Sequence, residues 1–126
     1  MNQPLILIVE DDKAVRNLIA ATLDTQDYRY LTAGTGEQGL QEATLRQPDI
    51  VLLDLEMPIF DGMTAAETII GEGLAGCVVI CTAFADEEFI QRAGRAGVAG
   101  YLVKPIEPRM LKPTLEVALA QGRLLQ

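Results

Sequence analysis

The run Ile50–Asp54 constrains the fold of this chain more than any other feature, because its four consecutive aliphatic residues end on an aspartate. Aliphatic residues without alternation are typical of a strand that is buried on both faces. The strand-breaking segments Glu56–Pro58 and Asp61–Gly62 follow at once. An acid at the carboxyl end of a buried strand lies where open α/β sheets form their binding crevices. Asp54 is therefore either a cap for the next turn or a functional group.

A strand followed by a helix recurs five times along the chain. Apolar or alternating runs predict strands at residues 5–9, 28–32, 50–54, 77–81 and 100–103. Helical spacing and capping signals predict a helix after each strand, including one from the capping box Thr35–Gln38 and a last one over about 108–125. This alternation predicts an α/β fold with a five-stranded parallel sheet and helices on both faces, a doubly wound (βα)5 arrangement.

Three helices carry apolar stripes. In the first helix Val15, Leu18, Ile19 and Thr22 follow helical spacing. In the fourth helix the stripe is expected to be buried and consists of Phe89, Ile90, Ala93 and Ala96. The stripe of the last helix consists of Leu111, Leu115, Ala118, Leu119 and Leu125. It extends past what one domain needs to bury, so we expect it to contribute to a surface for a partner helix or a second copy of the chain.

Size and charge exclude several classes of protein. The 126 residues suit one domain with a real core, so residues 1–126 are interpreted as a single domain. No apolar run approaches the roughly 18 residues of a membrane span, and residues 1–4 lack signal-peptide features, so a cytoplasmic protein without a membrane partner is expected. The net charge of −8 combines −12 over residues 1–91 with +4 over residues 92–126. Such an acidic chain is not expected to bind nucleic acid by itself.

The two cysteines, Cys77 and Cys81, are predicted to be buried free thiols. Four residues apart in a strand, their Cα atoms lie roughly 13 Å from each other. A disulfide needs less than about 7 Å. The chain contains no histidine, which argues against a metal site at these thiols.

Functional groups follow four of the five predicted strands, and parallel strands present all their carboxyl ends at one edge of the sheet. The groups are Glu10, Asp11 and Asp12, then Asp54, Thr82 and Lys104. Converging carboxylates without internal compensation repel one another, which argues for a bound cation. Oxygen ligands favour a hard ion, and Mg²⁺ suits a shallow site that keeps several waters. The hydroxyl, the ammonium and backbone N–H groups can hold a small dianion beside the ion, a set that suits phosphoryl transfer to a carboxylate.

In these residues the chain resembles the receiver domain of two-component response regulators, a flavodoxin-like fold of the CheY type, over essentially its whole length. The matching positions, in receiver-like order and spacing, are Val9–Asp12, Asp54, Met57–Pro58, Asp61–Gly62, Thr82–Ala83, Tyr101 and Lys104–Pro105. The resemblance implies a phosphoacceptor signalling domain with intrinsic phosphotransfer and self-dephosphorylation, not a conventional enzyme. Its expected phosphodonor is a sensor histidine kinase or a phosphotransfer protein.

The resemblance assigns a role to each site residue. Asp54 is the expected phosphoacceptor, and Thr82, Ala83 and Lys104 are expected to bind the phosphoryl oxygens. The expected Mg²⁺ ligands are Glu10 through water, Asp11, Asp54 and the backbone carbonyl of Glu56. Asp12 is left out of this set as a helix-start residue. Lys104–Pro105 is expected to carry a cis peptide bond.

The resemblance also implies a route for the signal. Tyr101 is similar to the aromatic residue that turns inward when the threonine, here Thr82, moves toward the phosphoryl group. This movement is expected to switch the face of the fourth helix, fifth strand and last helix, and with it a homodimer or a partner. Phe84, two residues after Thr82, is expected to cover the phosphoryl group and, with Glu56 across the site, to slow self-hydrolysis.

Other classes of protein remain as alternatives. Residues 101–118 partly resemble regulators with an RNA-binding ANTAR output. Asp54-Leu55-Glu56 superficially fits an aspartate-nucleophile phosphohydrolase of the haloacid-dehalogenase type, although that family usually has a second aspartate where this chain has Glu56. A Mg²⁺-dependent scaffold without turnover is disfavoured by the complete set of Thr82 and Lys104. The lifetime of the acyl phosphate discriminates between a receiver and a phosphatase.

Overall fold

The structure, a computed structural model, describes residues 3–25, 28–57, 60–83 and 86–125, with side chains as far as Gln121. Strands and helices alternate along it as predicted. The elements are β1 Leu5–Val9, α1 Lys13–Asp24, β2 Arg29–Ala33, α2 Gly36–Arg46, β3 Ile50–Asp54, α3 Gly62–Gly71, β4 Cys77–Thr82, α4 Glu87–Ala96, β5 Gly100–Val103 and α5 Pro108–Leu125. The second strand begins one residue later than predicted, and the fourth extends one residue further, to Thr82.

The five strands form one sheet in the order β2-β1-β3-β4-β5, and all four neighbouring pairs are parallel. The predicted α/β fold is thereby confirmed. β3 lies at the centre of the sheet, and all five of its residues are buried. This position explains the unbroken aliphatic run, because both faces of the central strand are covered by helices.

Alternate residues of the strands enter two separate cores. One core joins Ile6, Ile50 and Val79 to buried residues of α1 and α5. The other joins Leu7, Val51 and Ile80 to buried residues of α2, α3 and α4. Helices therefore cover both faces, and every strand's carboxyl end is left at one common edge.

The buried stripe of α4 differs from the one predicted, and in α1 only Ile19 of the helically spaced set is fully buried. In α1 the fully buried residues are Ile19 and Leu23, whereas Leu18 is 41% exposed. Ile19 and Leu23 are four residues apart and share one face of the helix, while Leu18 is one position around it and points away from the core. In α4 Ala93 is the buried apolar residue, and Phe89 and Ile90 are 36% and 48% exposed.

The predicted docking stripe of the last helix is wrong. Leu111, Leu115 and Ala118 are completely buried, because they pack into the core that α5 shares with α1. Leu119 is partly buried against the same core, and the side chain of Leu125 lies outside the described residues. Among the side chains of α5 that the structure describes, the large apolar ones that are exposed are instead Met110 and Val117.

Aspartates cap the amino ends of three helices, which begin near the carboxyl edge of the sheet. Asp12 accepts hydrogen bonds from the N–H groups of Ala14 and Val15, Asp61 from that of Thr64, and Asp86 from that of Phe89. At α2 the cap is Thr35, whose hydroxyl accepts from the Gln38 N–H at 3.1 Å, as the capping box predicted. Within the described part of the chain, no helix combines the length and the apolar character needed to cross a membrane.

Candidate functional site at the carboxyl edge of the sheet

Backbone hydrogen bonds continue past the strand ends and fix the residues of the site. The Glu10 N–H donates to the Ala33 carbonyl at 3.0 Å, and the Lys104 N–H donates to the Thr82 carbonyl at 2.8 Å. Asp54 itself is in register with Cys81 of β4. The structure thus brings the predicted residues of β1, β3, β4 and β5 to one edge and holds their main chains in the sheet.

Lys104 connects the two buried carboxylates. Its Nζ lies 2.9 Å from Oε1 of Glu10 and 3.1 Å from Oδ1 of Asp54. Glu10 and Asp54 are 1% and 2% exposed, and the lysine side chain is 19% exposed. The expectation that the carboxylates converge without internal compensation is therefore wrong, because one cation within the chain compensates two of them. When both buried acids are ionised, one lysine leaves the centre of the site one positive charge short.

The pKa values of the ion-paired residues follow from burial and from their partners. Burial raises the pKa of Glu10 to about 7, an effect that the Lys104 ammonium opposes and that the adjacent Asp54 reinforces. For Lys104, burial lowers the pKa, but the hydrogen bonds and charges of Glu10 and Asp54 outweigh it and raise the value to about 12. The ammonium therefore stays charged at neutral pH.

Three of the predicted metal ligands lie close together. Glu10, Asp11 and Asp54 each offer a carboxylate oxygen within 4.8 Å of the others. Asp54 Oδ1 also accepts the Glu56 N–H at 3.0 Å, whereas its buried Oδ2 accepts no hydrogen bond from any described residue. An orphaned buried oxygen beside two further carboxylates fits the oxygen preference of a hard divalent cation. Asp12 caps α1 and lies outside this cluster, as expected.

The Glu56 side chain makes a contact that the sequence did not reveal. Its Oε1 accepts a hydrogen bond from the Thr82 hydroxyl at 3.0 Å and another from the Ala83 N–H. Thr82 is fully buried, while Glu56 and Ala83 are exposed. Two of the three groups predicted to bind a phosphoryl group, those of Thr82 and Ala83, thus donate to a carboxylate instead. The position of Glu56, two residues after Asp54, indicates that it lies near the site. The direction of its side chain could not be predicted, because a loop has no periodicity that fixes it.

A second missed contact involves Arg16 of α1, whose guanidinium donates to the Glu10 carbonyl at 3.0 Å. This bond ties the first helix to the loop after β1. The cis peptide bond at Lys104–Pro105 is present as expected. Phe84, expected to cover the phosphoryl group, and Pro58 of the recognised motif lie outside the described residues.

Tyr101 is half-buried and packs against the core beneath α2, α3 and α4. Burial, followed by the charges of Asp86 and Glu56, raises the pKa of its phenol. Tyr101 is therefore electrostatically coupled to the site, and its switching role stays a prediction.

A family model described as the response regulator receiver domain matches residues 6–116 of this chain. The chemotaxis protein CheY of Halobacterium salinarum is 30% identical over 118 residues, which are 91% of this chain and 92% of that protein. The crystal structure of a CheY-like receiver domain protein from Methanospirillum hungatei JF-1 has a TM-score of 0.90 at 25% identity and covers 99% of this chain and 100% of its own.

Several similar proteins are longer than this chain. The transcriptional regulatory protein PdtaR of Mycobacterium tuberculosis is 37% identical over 119 residues, which are 94% of this chain but 58% of PdtaR. This chain spans between 50% and 58% of the length of three such regulators. The similarity therefore concerns one part of those proteins.

Proposed function

This chain belongs to the response regulator receiver domain family, and from that premise we propose that it accepts a phosphoryl group on Asp54. The donor is a phosphohistidine of a sensor histidine kinase or of a phosphotransfer protein. The observation that carries the proposal is the buried Asp54 carboxylate, whose Oδ2 accepts no hydrogen bond from the described residues while its Oδ1 lies 3.1 Å from the Lys104 ammonium. Such an oxygen is available for bond formation, while Oδ1 is held by Lys104 and the Glu56 N–H.

The phosphoryl group passes directly from the histidine nitrogen of the donor to Asp54, and this transfer needs no further reactant. An Asp54 oxygen forms the bond to phosphorus as the bond from phosphorus to the histidine nitrogen breaks, and the electron pair of that bond stays on the nitrogen. The Thr82 hydroxyl, the Ala83 N–H and Lys104 bind the phosphoryl oxygens. Water later hydrolyses the acyl phosphate, which makes the chain a phosphoacceptor with self-dephosphorylation and not a multi-turnover enzyme.

Magnesium is the cofactor that the ligand set supports. Glu10, Asp11 and Asp54 would hold Mg²⁺ with the help of the Glu56 backbone carbonyl. When bound, the ion neutralises negative charge on the acceptor and on the phosphoryl group. The charge deficit between two buried acids and one lysine supports this assignment.

The output is proposed to leave through the face of α4, β5 and α5. Its exposed apolar residues are Phe89, Ile90, Val103, Met110 and Val117. Tyr101 lies on the same face and is coupled to the site by the charge of Glu56. We propose that an inward turn of Tyr101 after phosphorylation changes this face and controls a homodimer or a docked partner. An RNA-binding ANTAR output, which would lie beyond this domain, stays a prediction.

Incubation with acetyl phosphate and Mg²⁺ tests the acceptor. We expect the intact mass to rise by one phosphoryl group, and we expect Asp54→Asn or a chelator to abolish the increase. Asp49→Asn is the matched control, since Asp49 precedes the same strand at its other end and should leave labelling unchanged. Labelling that survives Asp54→Asn, or that persists without a divalent ion, would contradict the proposal.

The same samples test the output face. Beryllofluoride with Mg²⁺ should change the sedimentation coefficient or the amide spectrum of α4, β5 and α5. Tyr101→Ala should weaken that response while Asp54 labelling remains. A response confined to the surroundings of Asp54 would show that the signal takes another route.

A further inference from the structure

The Glu56 carboxylate occupies the place where the proposed function requires another anion. Its Oε1 accepts from the Thr82 hydroxyl at 3.0 Å and from the Ala83 N–H. Carboxylate and phosphoryl oxygens are both anionic acceptors that form strong, charge-assisted hydrogen bonds. The two anions therefore compete for the same donors.

The backbone of Glu56 is held in place, but its side chain is free to move away from Thr82 and Ala83. Its backbone N–H is fixed on Asp54 Oδ1 at 3.0 Å, and Met57 beside it is 6% exposed. The Glu56 residue itself is exposed, whereas Thr82 is completely buried. The side chain can turn into solvent without disturbing the loop, and of the two donors that it leaves, Thr82 is the last residue of β4.

We propose that Glu56 is the internal competitor of the phosphoryl group, occupying the Thr82 and Ala83 donors in the unphosphorylated chain and slowing phosphoryl acceptance until it is displaced. This inference rests on the proposed phosphorylation of Asp54. Glu56 thereby sets how readily the domain is phosphorylated.

Displacement also has a consequence at Tyr101. After burial and Asp86, the charge of Glu56 contributes to the raised pKa of that tyrosine. A carboxylate that leaves Thr82 changes the field at Tyr101 at the moment when the threonine changes its partner.

Three variants distinguish occupancy of the Thr82 and Ala83 donors by Glu56 from simple repulsion between its charge and the phosphoryl group. Glu56→Ala removes the anion, Glu56→Gln keeps the length without the charge, and Glu56→Asp keeps the charge but is one methylene too short to reach both donors. We expect Glu56→Ala and Glu56→Asp to bind beryllofluoride at fixed Mg²⁺ about 10-fold more tightly than the parent chain, since an exposed charge-assisted hydrogen bond lies at the low end of its range. Glu56→Gln should fall between, because its amide oxygen still accepts. Acetyl phosphate labelling of Asp54 should accelerate in the same order.

A second readout needs no phosphorylation. In the free protein, the Ala83 amide proton should move upfield in Glu56→Ala, because it loses a carboxylate acceptor. Glu72→Ala is the matched control, since Glu72 is an exposed glutamate at the far end of α3 and removes the same charge. It should reproduce the parent chain in both measurements.

The outcomes distinguish this inference from the function on which it rests. An unchanged Ala83 amide in Glu56→Ala, or parent-like beryllofluoride affinity in Glu56→Asp, would overturn the internal competitor while normal Asp54 labelling kept the proposed function intact. Absence of labelling and of beryllofluoride binding in every chain would overturn both.

Discussion

Two aspartates lie at opposite ends of the same buried strand and have opposite surroundings. Asp49 precedes β3 and is exposed; its Oδ2 accepts the Leu5 N–H at 2.8 Å, and its carbonyl accepts the Cys77 N–H at 3.0 Å. Asp54 ends β3, is 2% exposed, and has one carboxylate oxygen without a hydrogen bond from the described residues. The first aspartate satisfies backbone donors, and the second is surrounded by too few of them.

The difference shows how one strand separates stability from function. At the amino edge, Asp49 ties the starts of β1, β3 and β4 together, and Gly76 leaves room for this bond because a Cβ there would lie 2.6 Å from the Asp49 carbonyl. At the carboxyl edge, two acids share one lysine. Unsatisfied groups persist where a ligand completes them, whereas a purely structural edge satisfies its own hydrogen bonds.

The largest effect is expected when the two buried carboxylates of the carboxyl edge lose Lys104, the lysine that pairs with both of them. Lys104→Met leaves Glu10 and Asp54 buried without a positive charge, which should lower the free energy of unfolding by roughly 3 kcal/mol in the presence of a chelator. Added Mg²⁺ should restore more stability to this variant than to the parent chain. Denaturant titrations with and without Mg²⁺ measure both effects.

Lys112→Met is the control for this substitution. The Lys112 side chain is 54% exposed, and its ion pair with Glu116 is long, at 4.0 Å. Its loss should therefore change the free energy of unfolding by less than about 0.5 kcal/mol. Equal effects of the two substitutions would show that Lys104 does not compensate the buried acids.

Substitutions at the two ends of β3 should change the free energy of unfolding by smaller amounts and in opposite directions. Asp49→Ala removes the acceptor of the Leu5 N–H and should lower the free energy of unfolding by about 1 kcal/mol. Asp54→Asn keeps an acceptor for Lys104 and removes a buried negative charge beside Glu10, so it should raise the free energy by about 1 kcal/mol in chelator. Thermal unfolding of both variants measures the two signs. Destabilisation by Asp54→Asn would show that the carboxylate is already fully compensated.

The same contrast explains which features could be predicted from the sequence. The strands, their order of appearance and the edge at which Asp54, Thr82 and Lys104 meet follow from periodicity and from the common direction of parallel strands. The contact between Glu56 and Thr82 does not follow, because it depends on the direction of a loop side chain. Sequence spacing also placed Leu111 and Leu115 on a stripe, but whether a stripe faces the core or a partner depends on the packing of α1 against α5.

The smallest effect uses the two cysteines of β4: Cys77 begins the strand at the amino edge, and Cys81 precedes its last residue near the carboxyl edge. Cys77 is 9% exposed beside Asp49, and Cys81 is 2% exposed. Burial, assisted by the charge of Asp49, raises the pKa of Cys77 to about 11. Because the reactive form is the thiolate, labelling of native Cys77 should be slow at pH 8 and should rise about tenfold per pH unit toward pH 11. Cys81 should remain unlabelled for longer.

The sign of the accompanying stability change follows from the same shift. The folded chain holds the Cys77 proton up to a pKa of about 11, while the unfolded thiol loses it near its ordinary pKa of 9.0. The contribution of this thiol to stability is therefore fully present below pH 9 and is lost as the pH rises through about 11. Asp49→Ala should lower the pKa of Cys77 and shift its labelling profile to lower pH, without changing the protection of Cys81. If the two thiols react at the same rate, or if Asp49→Ala leaves the profile in place, the two edges do not differ as described.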